Sequence, residues 1–190
     1  MRGLSGSFKC SMQDYMDFDT PEDGGAAIPM LLASPEDVSP RSDRLLQEIA
    51  KRWFEVCPKD GLPGRDDIDP MRFPRLLASS YLLDCLEGGD FKFRVAGSVF
   101  RELHGYEITG QRASDIFTRP DRSAPLWADM RRCASDALPV YRQGFTIWRA
   151  PSPPLRFQRV MLPLGEREGK TVKQILGAAR IYDSNGAVWS

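Results

Sequence analysis

The sequence predicts an α+β domain: a five-stranded antiparallel sheet, short helices mainly on one face, and a flanking helix on the N-terminal side. Three observations carry this expectation. Apolar residues recur at helical spacing in 41–57 and again in 123–137. Short β-rich runs occupy two stretches before the second of these helices and three after it, and glycine or proline separates almost every run. Two strands, a group of small helices and a three-strand meander close most simply as one antiparallel sheet.

Taken in order, residues 1–40 carry Gly24-Gly25, scattered acids and prolines with no sustained period, and read as a flexible acidic tail in which IPMLL (28–32) is a candidate docking segment. The first helix is expected from SPRSDRLLQEIAKRWFEV. Ser39 can cap it, Pro40 suits the first turn, and Leu45, Ile49, Trp53 and Val56 share one face. Pro58 and Gly61 stop it. In GLPGRDDIDPMRFPRLL, Asp69-Pro70 is a cap followed by a first-turn proline, which predicts a short helix over 70–78. Asp66, Asp67 and Asp69 lack the ligand count and closing glutamate of a calcium loop and are read as turn and capping residues.

SYLLDC and FKFRVAG flank EGGD and predict a β-hairpin turning at Gly88-Gly89, with Phe91, Phe93 and Val95 on one face and Asp84 within reach of Arg94. Gly97 ends the strand, Ser98 can cap the two-turn helix VFRELH, and Gly105 stops it. A longer amphipathic helix starts near Ser123, with Leu126, Met130, Cys133 and Ala137 on one face and Pro125 in its first turn. VYRQGFTIWR, LRFQRVMLPL and VKQILGAARIYD are the last three strands. GEREGKT between the second and third has three residues between its glycines, where a phosphate-binding loop needs four, and it opens no helix. It reads as a hairpin turn. Residues 184–190 read as a C-terminal tail.

Composition narrows the function classes. The chain has 190 residues, 42% apolar and 27% charged, with no formal net charge, so no global field attracts nucleic acid or an anionic membrane. The charge is divided, about −5 on residues 1–40 and about +5 on the rest. Cys10, Cys57, Cys85 and Cys133 form no C-x-x-C, and one histidine completes no Cys/His zinc site. Four reduced thiols, no signal-like start and no long apolar stretch make a cytoplasmic protein without a membrane span the expectation. One histidine and no G-x-S-x-G leave the common catalytic triads without their parts, so no catalytic residues are assigned and no enzyme is expected.

A set of scattered residues adds a resemblance: Trp53; Leu62-Pro63, Arg65 and Asp69-Pro70; Leu83-Asp84; the run Phe93-Arg94-Val95-Ala96-Gly97-Ser98; Gly105; Thr109-Gly110; and Leu162-Pro163-Leu164. In this order and spacing the chain resembles the PAS_5 family of PAS domains, common in alphaproteobacteria and formerly a domain of unknown function. The resemblance covers about residues 42–183, and the PAS-like domain is set at 41–183. It implies a five-stranded sheet and small central helices enclosing a cavity, and an N-terminal helix through which such domains often dimerise. Haem-binding PAS domains place their histidine on the long helix before the third strand, where this chain has ADMRRCASDA. Flavin-type photosensing PAS domains carry a reactive cysteine in an Asn-Cys-Arg-Phe-Leu-Gln setting absent here. Haem and flavin are therefore not expected, and the cofactor is unknown.

The candidate cavity residues are Phe100, Leu103, His104, Tyr106, Ile108, Phe117, Leu126 and Met130 from the helices, with Phe145, Ile147, Gly177 and Ala179 facing them from the sheet. His104 reads otherwise as a polar helix-end residue. The expectation is a stand-alone sensory or regulatory domain that binds a small apolar ligand or a signalling protein partner, dimerising through helix 41–57. The alternatives are an interaction adaptor with a filled core and, further off, a small-molecule enzyme on the same α+β scaffold, for which Tyr106 and His104 are the only polar cavity candidates.

Overall fold

The computed structural model describes residues 30–38, 42–146, 155–166 and 169–189. Residues 1–29 of the acidic tail expected at 1–40, the cap Ser39 with Pro40, Ile147 and the turn residues 167–168 lie outside the described residues.

Five strands occupy the expected stretches: β2 (Ser80–Cys85), β3 (Phe91–Ala96), β4 (Val140–Phe145), β5 (Arg156–Leu164) and β6 (Gln174–Tyr182). A sixth, β1 (Met30–Leu31), lies at the edge. The sheet runs β1-β4-β5-β6-β2-β3, with every neighbouring pair antiparallel. β1 falls inside IPMLL. It pairs Met30 with Tyr141 and Leu31 with Val140, and Leu32 and Val38 are buried beside it. Packed chain therefore reaches back to Met30. At the other end Val188 returns to bridge Tyr182, and Trp189 donates its backbone N–H to the Ile181 carbonyl at 2.7 Å.

The hairpin β2–β3 turns through Gly88 and Gly89, both at positive φ, as the turn requires. Its register shifts between Leu82 and Leu83: Leu82 pairs with Val95 but Leu83 with Phe93, so Arg94 is an extra residue. This bulge corrects the expectation for Val95. Phe91 and Phe93 are buried together, whereas Val95 is turned to the other side and is 49% exposed. The expected Asp84–Arg94 pair forms, with Arg94 Nε at 2.8 and 3.1 Å from the two carboxylate oxygens, and Gln174 Nε2 donates to Asp84 at 2.7 Å. Burial alone would raise the Asp84 carboxyl, but these two donors and the positive charge of Arg94 outweigh it and hold the group below its ordinary value. A carboxylate with a lowered folded-state pKa stabilises the fold above its unfolded value of about 3.9 and loses that contribution as pH falls through the folded value. Asp84→Asn is therefore expected to flatten the acid limb of a plot of urea midpoint against pH and leave its slope near neutrality unchanged.

α1 (Arg44–Val56) begins at an Asp43 cap, whose carboxylate accepts from the Leu45 N–H at 2.9 Å. Its buried stripe is Leu46, Ile49, Ala50 and Trp53, one residue round from the expected face. The helix lies against β5 and β6 on the face of Gln158 and Arg180: Gln158 accepts from the Asp43 N–H, Arg180 pairs with the Asp43 carboxylate at 3.0 Å, and Trp53 Nε1 donates to the Pro163 carbonyl at 2.8 Å. The flanking N-terminal helix thus covers one face of the sheet and leaves the other to the short central helices. Trp53→Phe strands a buried carbonyl and is expected to cost about 1–3 kcal/mol in urea unfolding.

The helix that follows, at Pro74–Leu77, lies on the same face as α1, with Leu77 beside Leu82 and Leu176 and the Arg75 carbonyl 3.5 Å from Arg180 Nη1, whereas the three helices after it cover the opposite face. α2 (Pro74–Leu77) follows a 3₁₀ turn at Pro70–Arg72, whose Asp69 carboxylate accepts from the Met71 N–H as the capping reading requires. α3 (Ser98–His104) and α4 (Ala113–Ile116) are two turns and one turn long, and α5 (Pro120–Asp136) starts one turn earlier than expected, so Pro125 falls inside it. Helices as short as α3 and α4 have little intrinsic stability and depend on tertiary packing. Gly97 is what lets α3 start where it does, since a Cβ there would stand 2.3 Å from the Ala78 carbonyl oxygen.

Candidate functional site

Alternation along each strand sends one set of side chains toward α3–α5. The register places Tyr81 beside Gly177, Leu83 beside Phe93, Arg159 beside Ala179 and Phe157 beside Ile181 on that face. Between this face and the helices lies a cavity offering about 40 Å³ to the centres of water-sized spheres. About 10–15 Å³ on that measure holds one water, so the space is small but real.

Phe100, Leu103 and His104 of α3, Ile108 and Phe117 on either side of α4, Leu126 and Met130 of α5, and Ala179 of β6 all line it. Three other expected residues stand elsewhere. Tyr106 follows the left-handed Gly105 that ends α3, and this turn leaves it 46% exposed at the molecule's edge. Phe145 pairs with Arg156 and so belongs to the opposite face of the sheet; Thr146 lines the cavity instead. Ile147 is outside the described residues. Gly177 is on the correct face but is covered by the Tyr81 ring. His104 serves as wall, its ring 5.8 Å from that of Phe117 and 6.0 Å from that of Tyr106.

The polar end of the cavity was not anticipated. Asp129 is fully buried on α5 and receives Arg142 Nε and Nη2 at 2.7 and 2.9 Å, a two-pronged contact, while Arg159 Nη2 donates to the same carboxylate. Both arginine side chains are under 10% exposed, at 8% and 6%. Asp129 is the only buried carboxylate among the described residues, and both buried guanidiniums converge on it. A legible signal existed. Leu126, Asp129, Met130 and Cys133 fall at i, i+3, i+4 and i+7, and an acid on an apolar stripe demands a buried cation.

Arg159 lines the cavity over the Phe157 ring, 5.4 Å from its centroid. Next to it is Tyr81, whose hydroxyl is buried and has no hydrogen-bond partner among the described residues. Burial pushes that phenol up to about 12; the nearby Arg159 charge opposes the rise and Asp129 adds to it. The Arg159 guanidinium stands close enough to the hydroxyl to favour its ionised form through both charge and hydrogen bonding, although no hydrogen bond of good geometry satisfies the hydroxyl. Cys133 is buried behind the triad, its thiol pushed well above the ordinary range by desolvation. No described cysteine lines the cavity, and no group of three potential metal ligands occurs among the described residues.

No curated protein matches the chain in sequence. Among solved structures it is similar to a light-oxygen-voltage domain studied with a flavin analogue, at 15% identity and TM-score 0.47 over 60% of this chain and 84% of that one. It is also similar to a Rhodobacter sphaeroides LOV protein, at 22% identity and TM-score 0.41 over 62% and 70%. A third similarity is to the PAS domain of Bordetella pertussis BvgS, at 16% identity and TM-score 0.43 over 61% and 88%. The model of the PAS_5 family, described as a PAS domain, matches residues 41–180, a span that takes in α1, both halves of the sheet and every described residue lining the cavity except Ile181. On that match the chain belongs to the PAS_5 family of PAS domains.

Proposed function

We propose that this PAS domain is a sensory or regulatory module in which a small molecule in the cavity sets the positions of α3, α4 and α5 over the sheet. The observation carrying this reading is the cavity itself, walled on one side by helices too short to hold their places without packing. A ligand that fits one arrangement of those helices better than another shifts the population toward it. The readout would be a protein contact. The apolar face of α1 is spent on its own sheet, so a homodimer or partner complex through this helix would be built on its outer face, where Arg44, Glu48, Lys51 and Glu55 are exposed. A non-enzymatic role is the reading that fits the family, whose domains are typically sensory. No helix among the described residues is long and apolar enough to cross a membrane.

The small volume of the cavity favours a second reading, an adaptor whose core is filled and whose surfaces do the work. Native mass spectrometry and an absorbance spectrum of the purified chain separate the two. A stoichiometric small mass that leaves on unfolding is the expected result for a sensor. A bare protein mass, together with no uptake from a panel of small apolar molecules, would overturn the sensor in favour of the adaptor.

A further inference from the structure

We infer that the cavity is built for a compact monocarboxylate, with the carboxylate between Arg159 and Tyr81 and the apolar body against Phe93, Phe100, Leu103 and Met130. This rests on the cavity reading above and adds the chemistry of the occupant.

Two independent features point to it. The first is charge. Arg142 meets Asp129 with two nitrogens, while Arg159 gives the same carboxylate one. Among the described residues Arg159 shares its one buried carboxylate with Arg142, so its charge is only partly compensated in a site nearly sealed from water, and a buried cation is costly unless an anion pairs with it. Arg159, of the two, is the one on the cavity wall. The second is the Tyr81 hydroxyl, 5% exposed as a residue, lining the same cavity and unpartnered. Buried hydroxyls are nearly always hydrogen-bonded, so an orphan beside a guanidinium is a donor awaiting an acceptor.

A guanidinium and one hydroxyl match the two oxygens of a carboxylate. A phosphate has more oxygens than these two groups can serve, and the rest of the lining is almost wholly apolar. The limited volume sets the size of the body. A short aliphatic or single-ring acid is accommodated with modest movement of α3 and α4, whereas a large cofactor would require the core to be rebuilt.

The test is isothermal titration calorimetry and amide chemical-shift mapping on the full chain at neutral pH, with butyrate and benzoate against their neutral counterparts butan-1-ol and benzyl alcohol. The expected result is that each acid binds at least tenfold more tightly than its alcohol, with shifts concentrated on Tyr81, Phe100, Leu103 and Ala179. Tyr81→Phe removes only the orphan hydroxyl, so it should fold at least as stably as the parent and still lose several-fold in benzoate affinity with benzyl alcohol unchanged. Arg159→Met leaves Asp129 paired with Arg142 and should abolish the preference for the acid. If the alcohols bind as well as the acids, the cavity reading stands and the carboxylate inference falls. If neither class binds, or the acids shift only surface residues, both fall. Tyr81→Phe keeps the test decisive if Arg159→Met does not fold.

Discussion

Asp129→Ala is expected to destabilise the domain by about 3–5 kcal/mol, the largest single effect predicted for a side chain here. The cost does not come from losing two ion pairs as such. Transferring ions out of water is so unfavourable that a buried pair often contributes little net stability over an apolar replacement. It comes from what remains: two guanidiniums, 8% and 6% exposed, facing each other across a vacated site with no other buried carboxylate among the described residues to take them. Three further variants separate this mechanism from simple cavity formation. Asp129→Asn keeps the volume and removes the charge, and should cost nearly as much as alanine. Arg159→Met removes one cation and leaves the two-nitrogen contact of Arg142 intact, so its cost should be clearly smaller. Replacing all three residues with apolar side chains of similar volume should recover most of the loss. Urea unfolding followed by circular dichroism gives the four numbers. If Asp129→Asn costs less than about 1 kcal/mol, typical of an exposed pair, the triad is solvated and the electrostatic account of the cavity is wrong.

The same triad shows why part of the site could not be read from the chain. In VYRQGF the residues Tyr141 and Phe145 look like the inward set, and Arg142 looks like a surface residue. The register is the reverse, with Val140, Arg142 and Gly144 on the helix side. A strand can turn an arginine inward only if an acid waits for it, and Asp129 lies on another element, thirteen residues away. Binary patterning therefore gave the strand but chose the wrong face, because a buried polar pair inverts the pattern on both partners at once. By contrast the hairpin at Gly88-Gly89, the end of α3 at Gly105 and the apolar stripe of α5 were legible, since each is fixed by backbone conformation or by periodicity within a few residues. α1 lies between these cases. Its stripe says that one face must be buried but not against what, and the second face of the sheet was the answer. The bulge at Arg94 left no mark that alternation could show, and it alone moved Val95 into solvent.

Gly177→Ala is expected to cost about 1–3 kcal/mol and to close the cavity, although Gly177 does not line it. In the centre of the sheet, Gly177 is paired with Met161 on one side and Tyr81 on the other. The Tyr81 ring lies across its backbone, and a Cβ at this position would stand 2.0 Å from Tyr81 Cζ and 2.3 and 2.5 Å from its Cε atoms. Glycine here is not the floor of an empty space but the seat of an aromatic ring, an arrangement in which the ring covers backbone that glycine leaves bare. A methyl group must displace the ring. Phe93 and Phe100 already hold it, with ring centroids 5.7 and 5.2 Å away, so the open direction is the cavity. Two consequences follow from one displacement: overpacking strain in the sheet and loss of the ligand space beside Arg159. A double-mutant cycle distinguishes this from a generic effect of alanine on the strand. With Tyr81→Leu as the second change, the clash is relieved, and the two substitutions together should be less destabilising than the sum of each alone, with a coupling of about 0.5–3 kcal/mol. Urea midpoints of the four proteins measure it. If Gly177→Ala costs the same whether residue 81 is tyrosine or leucine, the ring is not what the methyl group meets, and the link between this glycine and the cavity is broken.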